Sequence, residues 1–180
     1  RVGLATGTTR QVTKEFGNCR SPIYLSELFT LDSPEPWNTL AFVSDFAQET
    51  DPLTGRLSQS IYSCRLDGTE VRRLTYNPSS DRDPFLVWDG RVIYSSRQHS
   101  TLDHQPGGRF SLLSIYQDGT DVSPFFVHDG ARIKQMPTVT DRGVCVFVES
   151  DQGSADGSGF LARFDLARPC LLYTSPSPRD

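Results

Sequence analysis

The chain has little of what helical, metal-binding or membrane-spanning proteins are built from. Its 180 residues include a single Met. No long segment repeats its apolar residues every 3.6 positions, which argues against a helix bundle. No apolar run approaches the roughly eighteen residues that cross a bilayer as a helix. Cysteine is scarce: Cys19, Cys64, Cys145 and Cys170 follow no zinc-framework spacing, and neither Cys-x-x-Cys nor a Cys-x-x-Cys-His haem attachment occurs. Excess positive charge is missing too. The net charge is -4 and the pI about 5.3, with no basic stripe of the kind that grips duplex nucleic acid. There is no GxxxxGK[ST] phosphate loop and no GxSxG nucleophile elbow, so no catalytic residue is assigned.

What is present suits short strands. Aromatic residues reach 11%, with 14 Gly and 12 Pro, a composition favouring sheets broken by frequent turns. An internal repeat organises them. Asp67-Gly68-Thr69-Glu70-Val71 returns as Asp118-Gly119-Thr120-Asp121-Val122, about 51 residues later. Arg91-Val92-Ile93-Tyr94-Ser95-Ser96 is echoed by Gly143-Val144-Cys145-Val146-Phe147-Val148, and Pro22, Pro84 and Pro137 each precede equivalent apolar runs. In the clearest unit the pattern predicts strands over Pro84–Val87, Arg91–Ser96, Phe110–Tyr116 and Val122–Phe126. Turns at Asp89-Gly90 and Asp118-Gly119 join them, as Asp67-Gly68 does in the unit before, because Gly accepts positive φ at no steric cost. Four short strands recurring at this period define an all-β chain built of β-propeller blades. The expected organisation is a lead-in over 1–21, then a propeller fragment over 22–169 with blades at 22–75, 84–126 and 134–169, the third losing its last strand. The opening at Arg1, without Met or signal peptide, reads as a fragment. Residues 170–180, from Cys170 to Asp180, resemble a translated sequencing adapter and are expected to be a non-native tail.

Leu66-Asp67-Gly68-Thr69-Glu70-Val71-Arg72-Arg73-Leu74-Thr75, followed by Asp83-Pro84 and Asp89-Gly90-Arg91-Val92-Ile93-Tyr94-Ser95-Ser96, resembles the WD40-like (PD40) repeat of TolB-type propellers. Val87-Trp88-Asp89-Gly90 departs from that family's usual Ser-Pro-Asp-Gly. Three further stretches, Tyr76–Pro84, His104–Arg109 and Gly130–Lys134, resemble a narrower group of exported bacterial proteins, related to the propeller middle domain of the hydrazine synthase alpha subunit. The resemblance implies a periplasmic or cell-surface location. Some relatives of that kind carry c-type haem domains beside the propeller, so any haem is expected in a neighbouring domain and no cofactor in this chain.

Strand direction alternates within a blade, so turns one-two and three-four share one face. The two-three loops and blade-to-blade links share the other. The long segments Phe46–Gln59, Arg97–Arg109, Asp151–Gly159, Tyr76–Asp83 and Val127–Ile133 all fall on that second face, where binding residues usually sit. His99, His104 and His128 lie there, with Asp51, Asp81, Asp83, Asp103 and Asp129. His99, His104, His128 and Asp103 are the metal candidates by residue type. Their spacing matches no metal signature, and solvated loops are rich in the same residues, so no metal is assigned. Arg56 and Arg109, in equivalent loops, are candidates for a partner's carboxylate, with Asp81 and Asp83 beside them. The expectation is a non-catalytic binding or scaffold module, taking a protein or small ligand on this face and packing against further blades of its own chain, with no nucleic acid partner and no membrane span. The alternative is the propeller module of a larger redox or hydrolytic enzyme whose catalytic part lies elsewhere.

Overall fold

A computed structural model describes residues 7–29, 31–52, 54–99, 109–126, 133–151 and 157–174, the stretch 168–174 by its backbone alone. The described residues form twelve strands and no helix. β1 (Arg20–Tyr24), β2 (Thr39–Ser44), β3 (Ser60–Arg65) and β4 (Arg72–Arg73) pair antiparallel in chain order. β5 (Asp81–Leu86), β6 (Arg91–Gln98), β7 (Arg109–Tyr116) and β8 (Ser123–Phe126) do the same. So do β9 (Ile133–Val139), β10 (Val144–Ser150), β11 (Phe160–Asp165) and β12 (Arg168–Thr174). One parallel pairing, Phe110 with Ile133, ties the second blade to the third.

The Asp-Gly turns have one geometry. Gly68 donates to the Arg65 carbonyl at 2.9 Å and Arg65 to the Thr69 carbonyl at 2.9 Å. Val87–Arg91, Tyr116–Thr120 and Thr140–Val144 repeat this pair of bonds. The third residue of each turn is a Gly with φ between 74° and 91°. In the two Asp-Gly-Thr turns the Asp side chain also caps the Thr: Asp67 Oδ1 accepts from the Thr69 amide at 2.9 Å, and Asp118 Oδ1 from the Thr120 amide at 2.9 Å. At Gly68 the backbone conformation and a close neighbour both demand glycine, since a Cβ would stand 2.4 Å from the Val12 carbonyl oxygen.

The repeated prolines mark a second device. Ser21, Asp83 and Met136, each preceding one of them, sit at φ 50°, 55° and 52°. At each the pairing register of the first strand slips. Proline has no amide to give the ladder, so the strand bulges there instead of continuing. β1 packs against β5 and β5 against β9, which makes these bulged strands the inner edge of the blades.

Alternate residues of the blades point to opposite neighbours. Ala41, Val43, Ile61, Leu74, Val92, Tyr94 and Ile115 form the core between the first two blades. Val87, Ile93, Leu112, Phe126, Cys145, Phe147, Ala162 and Phe164 form the core between the second and third. Phe42, Tyr62 and Cys64 point the other way and are covered by Val12 and Phe16 of the lead-in.

One expectation is corrected. The third blade does not lose its fourth strand: β12 pairs with β11. An open sheet edge accepts extended chain of β-forming composition, and Leu171-Leu172-Tyr173 supplies it. The turn face is not uniformly tight. Residues 25–38 join β1 to β2 as a long hairpin pinned by mutual Leu28–Trp37 backbone bonds of 2.9 and 2.8 Å. No Asp-Gly pair stands between those strands to close them sooner. Instead the Trp37 ring is held under the Arg65 guanidinium at 4.1 Å.

Candidate functional site on the long-loop face

The loop after β2 is folded into a small hairpin of its own. Thr50 pairs with Leu57, and Asp51 donates its amide to the Arg56 carbonyl at 2.8 Å and accepts at its own carbonyl from Gly55 at 2.9 Å. Glu49 anchors the hairpin to β4 through two bonds to the Arg73 guanidinium, 2.8 and 2.5 Å long. That fork holds the Glu49 carboxyl below its ordinary pKa. The hairpin fixes the Asp51 carboxylate, which accepts from the Thr54 amide at 3.1 Å and is 1% exposed.

Asp51 faces the second blade. Arg97, at the end of β6, donates from Nη1 to Asp51 Oδ2 at 3.1 Å, and His99 Nε2 lies 3.7 Å from Asp51 Oδ1. Arg97 also lies over the Phe110 ring, its guanidinium carbon 5.1 Å from the centroid, and Arg82 lies over the same ring at 4.0 Å. Arg82 donates from Nη2 to Gln135 Oε1 at 2.8 Å, bridging the second and third blades. Burial lowers the pKa of Arg82, and the repulsion of Arg20 and Arg97 works in the same direction, against Asp83. Among the described residues, buried nitrogens here remain without a hydrogen-bond partner: Nε of Arg82, Nε of Arg97, both ring nitrogens of His99 and Nε2 of Gln135.

The other predicted site residues divide by role. Asp81 is buried, accepting from Ser96 Oγ at 2.6 Å and Asn77 Nδ2 at 3.0 Å. It closes the link between blades rather than facing solvent. Asp83 occupies the bulge and accepts the Met136 amide at 3.3 Å across to the next blade. Arg56 is exposed at the hairpin tip and Arg109 half-buried at the start of β7. Asp67, Gly68, Asp89, Gly90, Asp118 and Gly119 form the turns of the opposite face. His104, His128, Asp103 and Asp129 lie outside the described residues. Among the described residues no three His, Cys, Asp or Glu side chains stand together as metal ligands would. Sequence reasoning passed over Arg20, Arg82, Arg97, Phe110 and Gln135. The signal was available: Arg20, Arg82 and Gln135 each stand two residues before a repeated proline.

The thiols of Cys64 and Cys145 are buried, and burial raises them to about 11 and about 12, so they are neutral packing groups.

These units are blades of a β-propeller, and solved structures share the arrangement. Hydrazine synthase of Kuenenia stuttgartiensis aligns with 93% of this chain and 28% of its own, with a TM-score of 0.72 at 20% identity. A candidate TolB of Agrobacterium tumefaciens aligns with 81% of this chain and 50% of its own, with a TM-score of 0.51 at 18% identity. At such identities the likeness is one of fold. The chain spans between a quarter and a half of the length of these two neighbours. No known family profile and no curated protein matches the sequence.

Proposed function

We propose that this chain is the propeller part of an exported bacterial protein, periplasmic or at the cell surface, and that it binds a protein or small ligand through its long-loop face without itself catalysing a reaction. The observation that carries this reading is the group on that face. Asp51, Arg97, His99, Arg82 and Phe110 are drawn together from loops and strands of two blades, and several of their buried nitrogens have no hydrogen-bond partner among the described residues. Buried polar atoms are ordinarily satisfied by protein, water or ligand, and open donors on this face support a reading in which a ligand supplies the acceptors. The opposite face offers turns whose polar atoms bond to their own backbone. A further partner is more of the same chain. Val144, Val146 and Val148 of the third blade are half-buried and Leu161 is 61% exposed, which suits packing by another blade.

Paired cross-linking sites test this. In the full-length protein a photoactivatable group is attached to a cysteine replacing Arg56, on the long-loop face, or Trp88, which is 77% exposed on the turn face. Discrete adducts are expected from position 56 and none from position 88, in periplasm-bearing cells of the source type. Adducts from position 88 alone would overturn the assignment of the working face.

A further inference from the structure

The cationic side chains of the long-loop face are placed by the repeat itself. Arg20 and Arg82 stand at the same position of successive inner strands, each one residue before the left-handed bulge residue and two before its proline. Arg97 comes from the end of β6 and shares the Phe110 ring with Arg82. In a chain of net charge -4, this gathers three guanidinium groups with, among the described residues, few carboxylates to answer them. Asp51 answers Arg97. Asp83 lies 3.7 Å from Arg82 Nε but gives its oxygen to the Met136 amide. Arg20 is exposed and hydrogen-bonded to the neutral Gln59 amide oxygen. Asp45, whose field Arg20 shares, is held by Asn18 through bonds of 2.8 and 2.7 Å.

Resting on the binding role proposed above, we infer that Arg20, Arg82 and Arg97 form a carboxylate-binding rim that takes an acidic segment of a partner protein. Guanidinium forks match carboxylates in two parallel bonds. An inner-strand arginine in each of the first two blades, where the third has Gln135, spaces charge along the rim together with Arg97, which suits a chain carrying several carboxylates better than one compact anion. The Arg82 and Arg97 side chains are 25% and 22% exposed, so a carboxylate reaching them meets partly desolvated donors, where charge-assisted bonds are strongest. Phe110 backs both groups.

The test uses the full-length protein and two fluorescein-labelled peptides, octaglutamate and octaglutamine, in anisotropy titrations. Octaglutamate is expected to bind at 50 mM NaCl, to weaken steeply as salt is raised, and to be preferred at least tenfold over octaglutamine. Arg82→Lys keeps the charge but loses the fork and is expected to weaken octaglutamate about tenfold. Arg20→Gln, at an exposed position with a neutral partner, is expected to weaken it about threefold with the thermal unfolding curve unchanged. Equal binding of the two peptides, or both variants binding octaglutamate like the wild type, would overturn the inference. So would displacement of octaglutamate by tripolyphosphate at concentrations where free glutamate peptide does not compete, which would assign the rim to phosphate. If adducts form at position 56 while octaglutamate fails to bind, the working face stands and the carboxylate chemistry falls.

Discussion

Between the first and second blades the core is mostly aliphatic, with Ala41, Val43, Ile61, Leu74, Val92 and Ile115 around the single ring of Tyr94. Between the second and third it is aromatic. Phe126 stacks on Phe164 with centroids 4.1 Å apart, and Phe147 and Phe125 pack edge-on against Phe164 at 6.1 and 5.9 Å. Four antiparallel strands in chain order, with a bulge at the repeated proline of the first, present these residues in both places. The repeat therefore preserves backbone geometry and lets the filling vary, as expected where volume and pattern rather than residue identity specify packing. Each core has its own contacts and breaks on its own in a stack of nearest-neighbour units. The largest expected effect follows. Phe164→Ala removes the ring at the centre of the aromatic cluster and costs about 3–5 kcal/mol, beyond the few tenths expected from a surface change. Hydrogen exchange should speed in β10 and β11 and stay slow in β2 and β3. Ile61→Ala, at about 2–4 kcal/mol, should give the reverse map. Equal loss of protection across all blades under either substitution would sink the independent-core picture.

One register position carries the same contrast in polar form. Asp81 pairs with Ser96 across β5 and β6, and Lys134 with Glu149 across β9 and β10. The first pair is a carboxylate accepting hydrogen bonds. The second is an ion pair 3.7 Å apart with side chains 4% and 7% exposed. Removing one partner of a buried pair strands the other charge, so Lys134→Met should cost about 3 kcal/mol or more. The double change Lys134→Met with Glu149→Leu should recover most of that loss. Ser96→Ala removes the bond to Asp81 and the bonds that Asn77 and Gln98 give the same hydroxyl, and should cost about 1–3 kcal/mol. Denaturant midpoints of the three variants rank the two solutions. A double variant no better than Lys134→Met would show that the lysine contributes packing rather than charge.

The pH response should separate the pairs further. Burial holds the Asp81 carboxyl above the ordinary carboxylate range, although the bonds from Ser96, Asn77 and Thr75 work to lower it. Between its ordinary value and that raised one the folded state binds more protons at this site than the unfolded state does. This group's contribution to stability therefore falls as pH rises through the window and is constant above it. Asp81→Asn removes the titration, so its denaturant midpoint should lose this component of the pH dependence in the acid range. A variant whose midpoint follows pH as the wild type does would place the titration in another group.

Legibility in the sequence followed how local the cause was. The turns at Asp67-Gly68, Asp89-Gly90 and Asp118-Gly119 and the prolines at 22, 84 and 137 are backbone constraints acting within a few residues. They disclosed the repeat, the all-β class and, to within a few residues, the second blade's strands. The β1–β2 connection was not legible because it closes through Leu28–Trp37 pairing and the Arg65–Trp37 stack, which join residues far apart in the chain. The histidine face was half legible. Strand alternation placed His99 at the long-loop end of β6, where the structure has it. Nothing local says that Asp51, 48 residues earlier, supplies its neighbouring carboxylate. Arg20 and Arg82 were visible as letters, but their common orientation depends on the bulge at the following residue, which periodicity alone does not report. Asp81 was assigned to the binding face by its loop position, whereas register with Ser96 turns it inward.

The smallest expected effect concerns the element that the two Asp-Gly-Thr blades share without variation. Asp118 Oδ1 takes two bonds, from the Thr120 amide at 2.9 Å and the Thr120 hydroxyl at 2.6 Å, and these hold its carboxyl below the ordinary value. The turn is open to solvent, so water replaces what a substitution removes. Asp118→Ala should therefore cost only about 0.5–1 kcal/mol. Asp118→Asn keeps an acceptor for the amide and should cost less. The depressed carboxyl contributes stability above its unfolded value and loses it as pH falls through the folded one, the reverse of Asp81. The difference between wild type and Asp118→Asn should accordingly shrink in acid, where Asp81→Asn should diverge most from its neutral-pH behaviour. If both differences moved the same way with pH, the contrast between a solvated turn carboxylate and a buried link carboxylate would not hold.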